Sequence, residues 1–174
     1  MDYRSLHLGF PREEDANLVS FDLSPEYLES LILQGENEVL EFKEVVKGGA
    51  LGDEFLESIV AFANNRGGRI LVGVKDDCRV TGVTNADVVE NSIQNLIRAK
   101  CDPPIRVNVK AVVVDNLQVL AVEVPNGDNK PYVLRDKGPY VRAGGSDRSM
   151  LRAELDAIYQ ARSHSANPWG WPIT

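Results

Sequence analysis

The chain has 174 residues, 43% of them apolar, and a formal net charge of −7. That length fits one domain able to bury a core without a metal or disulfide staple. It carries no apolar run of the ~18–20 residues that cross a bilayer, and its two cysteines and two histidines are too few and too scattered for a Cys/His zinc site.

The opening "MDYRSLHLGFPREED" lacks the apolar core of a signal peptide, so a cytoplasmic protein with reduced Cys78 and Cys101 is expected. Residues 1–23 read as an irregular lead-in that could hold a short strand. Ser24-Pro25-Glu26 predicts a helix start, with a capping serine, proline at the first helical position and acid in the first turn. Gly35 is its stop. "EVLEFKEVV" (38–46) alternates like a strand, with Leu40 and Phe42 on one face and Glu41 and Lys43 on the other. Asp53 opens a second helix whose apolar residues, from Phe55 to Ala63, recur at helical spacing, and Gly67-Gly68 ends it. "RILVGV" predicts a buried strand, and "DDC" a turn into a shorter strand, "RVTGV". Asn85 is expected to cap a third helix through about Lys100, with Val88, Val89, Ile93, Leu96 and Ile97 on its inner stripe; Pro103-Pro104 stops it. "IRVNVKAVVV" and "LQVLAVEV" flank the turn Asp115-Asn116. "PYVL", "PYVRAGG" and a last helix from about Ser149 to Arg162 follow, and residues 163–174 read as an irregular tail. One domain over 24–162 is expected. Hairpins mixed with helices point to the α+β class, with a mixed or antiparallel sheet and packed helices.

Gly68 and Gly73 have the glycine spacing of a phosphate loop, but Val74 stands where that loop has lysine, and the order is helix–glycines–strand. No dinucleotide fingerprint occurs either. The glycines therefore predict a chain reversal, with Gly67 in the left-handed position, and no ATP site is expected. Asp76 and Asp77 at a hairpin tip fit turn chemistry. They gain interest if the first strand pairs beside "RILVGV". Glu36, Glu41 and Asp76 or Asp77 could then converge, and carboxylates in a cleft can hold Mg²⁺ or Mn²⁺ for phosphodiester hydrolysis.

"GENEVLEFKE" (35–44), "VAFANNRGGRILVGVKDDCRVTGV" (60–83) and "YVRAGGSDR" (140–148) fall in the order seen in the Schlafen AlbA-like domain, which the chain resembles over about residues 24–160. The resemblance implies the fold of that family, earlier grouped with divergent AAA ATPases, and DNA binding in bacterial transcriptional regulators. In Schlafen nucleases two glutamates lie near the "EFK" strand and an aspartate follows. Glu36 and Glu41 match the pair, and Asp76 or Asp77 the third position, which makes Glu36, Glu41 and Asp76 the implied metal set. Cys78 stands where relatives often have glycine. Those nucleases build a cleft from two lobes, and this chain carries one.

Charge divides unevenly. Residues 1–60 hold 14 acidic and 4 basic side chains, and residues 61–174 hold 12 and 15. Lys130, Arg135, Lys137, Arg142, Arg148 and Arg152 lie within 23 residues that contain only Asp136 and Asp147 as acids. Tyr132 and Tyr140 interleave with them. Such a cluster can meet phosphates and stack bases, and the backbone N–H groups of "RAGGSDR" add a candidate anion pocket. The bland alternative is a solvated face pairing with the acidic first third. The leading expectation is a nucleic-acid-binding (DNA or RNA) regulatory module that forms a homodimer. A divalent-metal-dependent nuclease and a non-catalytic self-association domain are the alternatives.

Overall fold

The computed structural model describes residues 23–45 and 51–166. The expectations for residues 1–22, for the last residue of the 38–46 strand and for residues 167–174 lie outside the described residues.

Helix α1 (Pro25–Gln34) starts as its sequence predicts: Tyr27 N–H donates to Ser24 Oγ at 3.2 Å, and Gly35 ends the helix at φ 75°. Strand β1 (Leu40–Lys43) is shorter than its alternation suggested. It is clipped at its start by a tight turn in which Asn37 and Leu40 exchange backbone hydrogen bonds. Helix α2 (Asp53–Asn64) leads through Gly67 to β2 (Gly68–Val72). Gly67 has φ +78° and its N–H donates to Phe62 O at 2.9 Å, which closes the helix end.

β1 and β2 run parallel, and β2 is followed in space by β5 (Leu117–Val124) and β4 (Asn108–Val114), both joined antiparallel. The sheet order is β1-β2-β5-β4. The sheet is covered on both faces. Leu71, Val119 and Ala121 join Leu40 and Phe42 in a cluster with Leu28 and Ile32 of α1. Ile70, Val72, Leu120 and Val122 face the other way, onto α2 and α3 (Ala86–Lys100). This alternation is the period-2 pattern of strands buried on two sides.

Three expectations are corrected here. "RVTGV" does not form a strand: Val80 makes only an isolated bridge to Val74. Asn85 makes no capping side-chain bond and sits in the left-handed region at φ 58°. Val88 lies outside, 63% exposed, and Ala86 takes a place on the inner stripe. The β4–β5 turn is as expected: Asp115 and Asn116 both have positive φ, which the tight hairpin turn requires.

Two small ribbons complete the fold, β3 (Cys101–Asp102) with β6 (Val133–Leu134), and β7 (Tyr140–Ala143) with β8 (Ser146–Ser149). Because Ser149 belongs to β8, the last helix, α4, begins at Arg152 instead of Ser149, and it runs to Ala166, past the expected end at Arg162 and into the segment expected to be irregular. Among the described residues no helix is long and apolar enough to cross a membrane.

Candidate functional site

Parallel pairing places the C-terminal ends of β1 and β2 side by side, with Gly73 N–H donating to Lys43 O at 2.8 Å. The chain leaving β2 therefore carries the Lys75–Cys78 turn past the end of β1. Cys78 closes that turn at φ 66°, a left-handed conformation that glycine adopts without strain. Among the described residues β1 is an edge strand, so its outward backbone groups need other partners. Phe42 N–H donates to Glu36 Oε1 at 2.8 Å, and the outward carbonyl of Leu40 accepts from Asn37 N–H at 2.9 Å.

Glu41 and Asp76 thus come close enough to Glu36 for their charges to act on it. Burial against the strand raises the Glu36 carboxyl above its ordinary range; the Phe42 N–H pulls it down, the Glu41 and Asp76 charges push it up, and Lys43 pulls it down. Asp77 is engaged within its own turn: its Oδ2 lies 2.5 Å from Arg79 Nη2, and Arg79 holds its pKa low.

Glu41 is committed elsewhere. Its side chain is 9% exposed, with Oε1 2.5 Å from Lys43 Nζ and Oε2 2.7 Å from Arg142 Nη2. The latter contact is an ion pair without the alignment of a hydrogen bond. Among the described residues no group of three or more His, Cys, Asp and Glu side chains is placed to hold a metal ion. With Glu41 on two cations, Glu36 Oε1 on a backbone N–H and Asp77 on Arg79, these carboxylates already have partners, and the donor set does not fit a divalent ion.

The cations are placed differently from one another. Arg142 departs from the expected phosphate contact, because its side chain is wholly buried. Its Nη1 donates to Asp147 Oδ1 at 2.8 Å and its Nη2 to Asn37 O at 2.7 Å, and the guanidinium lies 4.8 Å from the Phe62 ring centre. Burial works against its charge, but Asp147 and then Glu41 outweigh it and raise its pKa. Asp147 in turn accepts from Ser58 Oγ of α2 at 2.6 Å. Tyr132 is likewise unavailable for stacking: it is buried, and its backbone is held by Asn64, whose Oδ1 accepts from Tyr132 N–H and whose Nδ2 donates to the Tyr132 and Tyr140 carbonyls. Tyr140 packs against the same core.

The other cations reach the surface. Lys130 donates to Asn65 O at 2.7 Å, and burial lowers its pKa. Arg148 makes two bonds to Glu154, at 2.8 and 2.7 Å, and Arg152 lies 3.9 Å from Asp156. Lys137 pairs with Glu57 at 2.7 Å and with Asp53 at 3.3 Å, while Lys100 pairs with Asp53 at 3.2 Å. Arg135 is exposed and makes no ion pair among the described residues. The β3–β6 ribbon brings these last three together, since Arg135 N–H donates to Lys100 O. Lys100, Arg135 and Lys137 line a shallow depression with Asp53, Leu134 and Asp136. The sequence reading missed Lys43, Ser58 and Lys100. Lys43 carried a signal, two residues from Glu41 on the same strand face. Ser58 and Lys100 carried none, as their partners are remote in sequence.

A family model described as Schlafen, AlbA_2 matches residues 36–151, two thirds of the chain. The chain belongs to the Schlafen AlbA_2 family. The matched span contains the whole sheet, the carboxylates and the Arg142 network. Two solved structures share the Schlafen AlbA_2 chain's fold. One is the N-terminal domain of a protein described as related to the ATP-dependent DNA helicase RecG, from Nitrosomonas europaea. It is 23% identical, with TM-score 0.55, covering 74% of this chain and 94% of that one. The other is the DIP2311 protein from Corynebacterium diphtheriae, 24% identical, with TM-score 0.52, covering 71% of this chain and 24% of that one. No curated protein matches the chain.

Proposed function

We propose that this Schlafen AlbA_2 domain is a nucleic-acid-binding module of a regulatory protein, acting in the cytoplasm, and that it holds the phosphate backbone through Lys100, Arg135 and Lys137. The observation that carries the reading is the exposed Arg135, without an ion pair among the described residues, flanked by two lysines whose own ion pairs lie at the surface. Exposed pairs are worth at most about 1 kcal/mol, so phosphates can replace Asp53 and Glu57 as partners at little cost. Arg148 and Arg152 add two further cations whose partners, Glu154 and Asp156, can likewise be exchanged for phosphates, and Lys130 is left out because it donates to the Asn65 carbonyl. Family membership and the helicase-related description of one structural neighbour agree with a nucleic-acid role.

The reading extends to assembly. A homodimer doubles the number of phosphate contacts and makes the salt dependence of binding correspondingly steeper. It also supplies the second lobe from which Schlafen nucleases build their cleft. Cleavage itself is not part of the proposal, because the carboxylates do not fit a divalent ion, and no step of ATP hydrolysis is included. A gel shift and a nuclease assay on one preparation, with DNA and RNA, with and without Mn²⁺, test the reading. Retarded but uncut nucleic acid is the expected result. Failure to retard either polymer at low salt overturns it.

A further inference from the structure

We infer that Glu41 is the buried half of a clamp centred on Arg142, and that in this chain it takes no metal. The inference is independent of nucleic-acid binding. Both Glu41 oxygens already face cations, Oε1 that of Lys43 and Oε2 that of Arg142. A divalent ion at this carboxylate would have to settle against two resident positive charges. Arginine cannot relieve the conflict by losing its proton. Nor is Arg142 free to withdraw. Asp147, the carbonyls of Asn37 and Leu40, and the Phe62 ring hold it on its other sides.

The clamp joins four elements, and β7 and β8 lie far in sequence from the other two. Arg142 and Asp147 sit on β7 and β8, Glu41 and the Leu40 carbonyl on β1, and Ser58 on α2. The Arg142 side chain thereby ties the β7–β8 hairpin, which packs on α2, to β1. Removing one partner of such a buried pair strands the other charge, which is far more damaging than losing a surface pair.

The test uses the whole chain. Manganese binding is followed by the electron paramagnetic resonance of free Mn²⁺, and stability by thermal unfolding, for the wild type, Glu41→Gln and Asp147→Asn. Glu41→Gln is expected to leave the Mn²⁺ affinity within about twofold and to lower Tm by roughly 5–10 °C. Asp147→Asn, which removes the other carboxylate of Arg142, is expected to lower Tm similarly. A tenfold or greater loss of Mn²⁺ affinity in Glu41→Gln overturns the inference, as does an unchanged Tm in both variants. Should Glu41→Gln not fold, a wild-type crystal soaked in MnCl₂ decides. Manganese within about 2.6 Å of a Glu41 oxygen contradicts the clamp, and its absence from Glu41 supports it.

Discussion

Two glutamates show how differently the chain handles the same side chain. Glu154 lies beside Arg148 at the surface; the Arg148 guanidinium, helped by the Leu151 N–H, holds its carboxyl down to about 2. Its folded pKa is depressed, so the stabilisation is present above the unfolded value and is lost as pH falls from about 4.5 through about 2. Carboxyl ¹³C NMR is expected to find Glu154 titrating near the bottom of the carboxylate range, and Arg148→Ala is expected to return it toward an ordinary value. Glu36 behaves oppositely. Its folded pKa is raised, so its charge works against folding at neutral pH and the penalty disappears as pH falls through the folded pKa. Asp76→Asn removes one of the charges that push it up, so the same NMR titration is expected to place Glu36 lower in that variant. An unmoved Glu36 would mean that it does not sense the Asp76 charge. Arg142 was not legible as a buried residue. In "YVRAGGSDR" it reads as one more surface cation, and its partners Asn37, Leu40 and Glu41 lie about a hundred positions away. The alternation that put Leu40 and Phe42 on one face of β1 and Glu41 on the other was legible, because strand period is a local property.

At the scale of elements, the turn between α2 and β2 is set by one position. Gly67 has φ +78°, and a Cβ there would lie 2.7 Å from Asn126 N and Val124 O, both backbone atoms that cannot step aside. Gly67→Val is therefore expected to cost more than the ~1–2 kcal/mol of a left-handed L-residue, read as a lower urea midpoint with an unchanged slope. A midpoint equal to the wild type would contradict the strained geometry. At the other side of the sheet, Ser24→Ala removes the side-chain bond that starts α1 and is expected to cost about 1 kcal/mol. Both ends were visible in sequence because caps and glycines act within a few residues. The limits of β1 and α4 were not. The Asn37–Leu40 turn shortens the first, and the β7–β8 hairpin claims Ser149 from the second, so in each case a neighbouring structure overrides a continuous pattern. The parallel pairing of β1 with β2 was only one arrangement that the sequence allowed, yet it is what brings Glu36, Glu41 and Asp76 to one edge.

Over the whole molecule, the acidic first third and the basic remainder do not simply face each other across a seam. Some charges are consumed inside, as in the Arg142 clamp, and others remain at the surface where partners can exchange. The homodimer proposal is checked by light scattering at tens of micromolar. Twice the chain mass of 19.2 kDa is expected, and a persistent monomer contradicts it. Nucleic-acid binding through Lys100, Arg135 and Lys137 is tested most directly by fluorescence anisotropy on a labelled DNA duplex across a salt series, comparing the wild type with the triple variant Lys100→Ala/Arg135→Ala/Lys137→Ala. Each phosphate contact contributes about 0.9 to the log–log salt slope, so the triple variant is expected to bind more weakly on every sequence, with a slope shallower by roughly 2–3 units per chain. An equal slope and affinity in the two proteins would contradict the account.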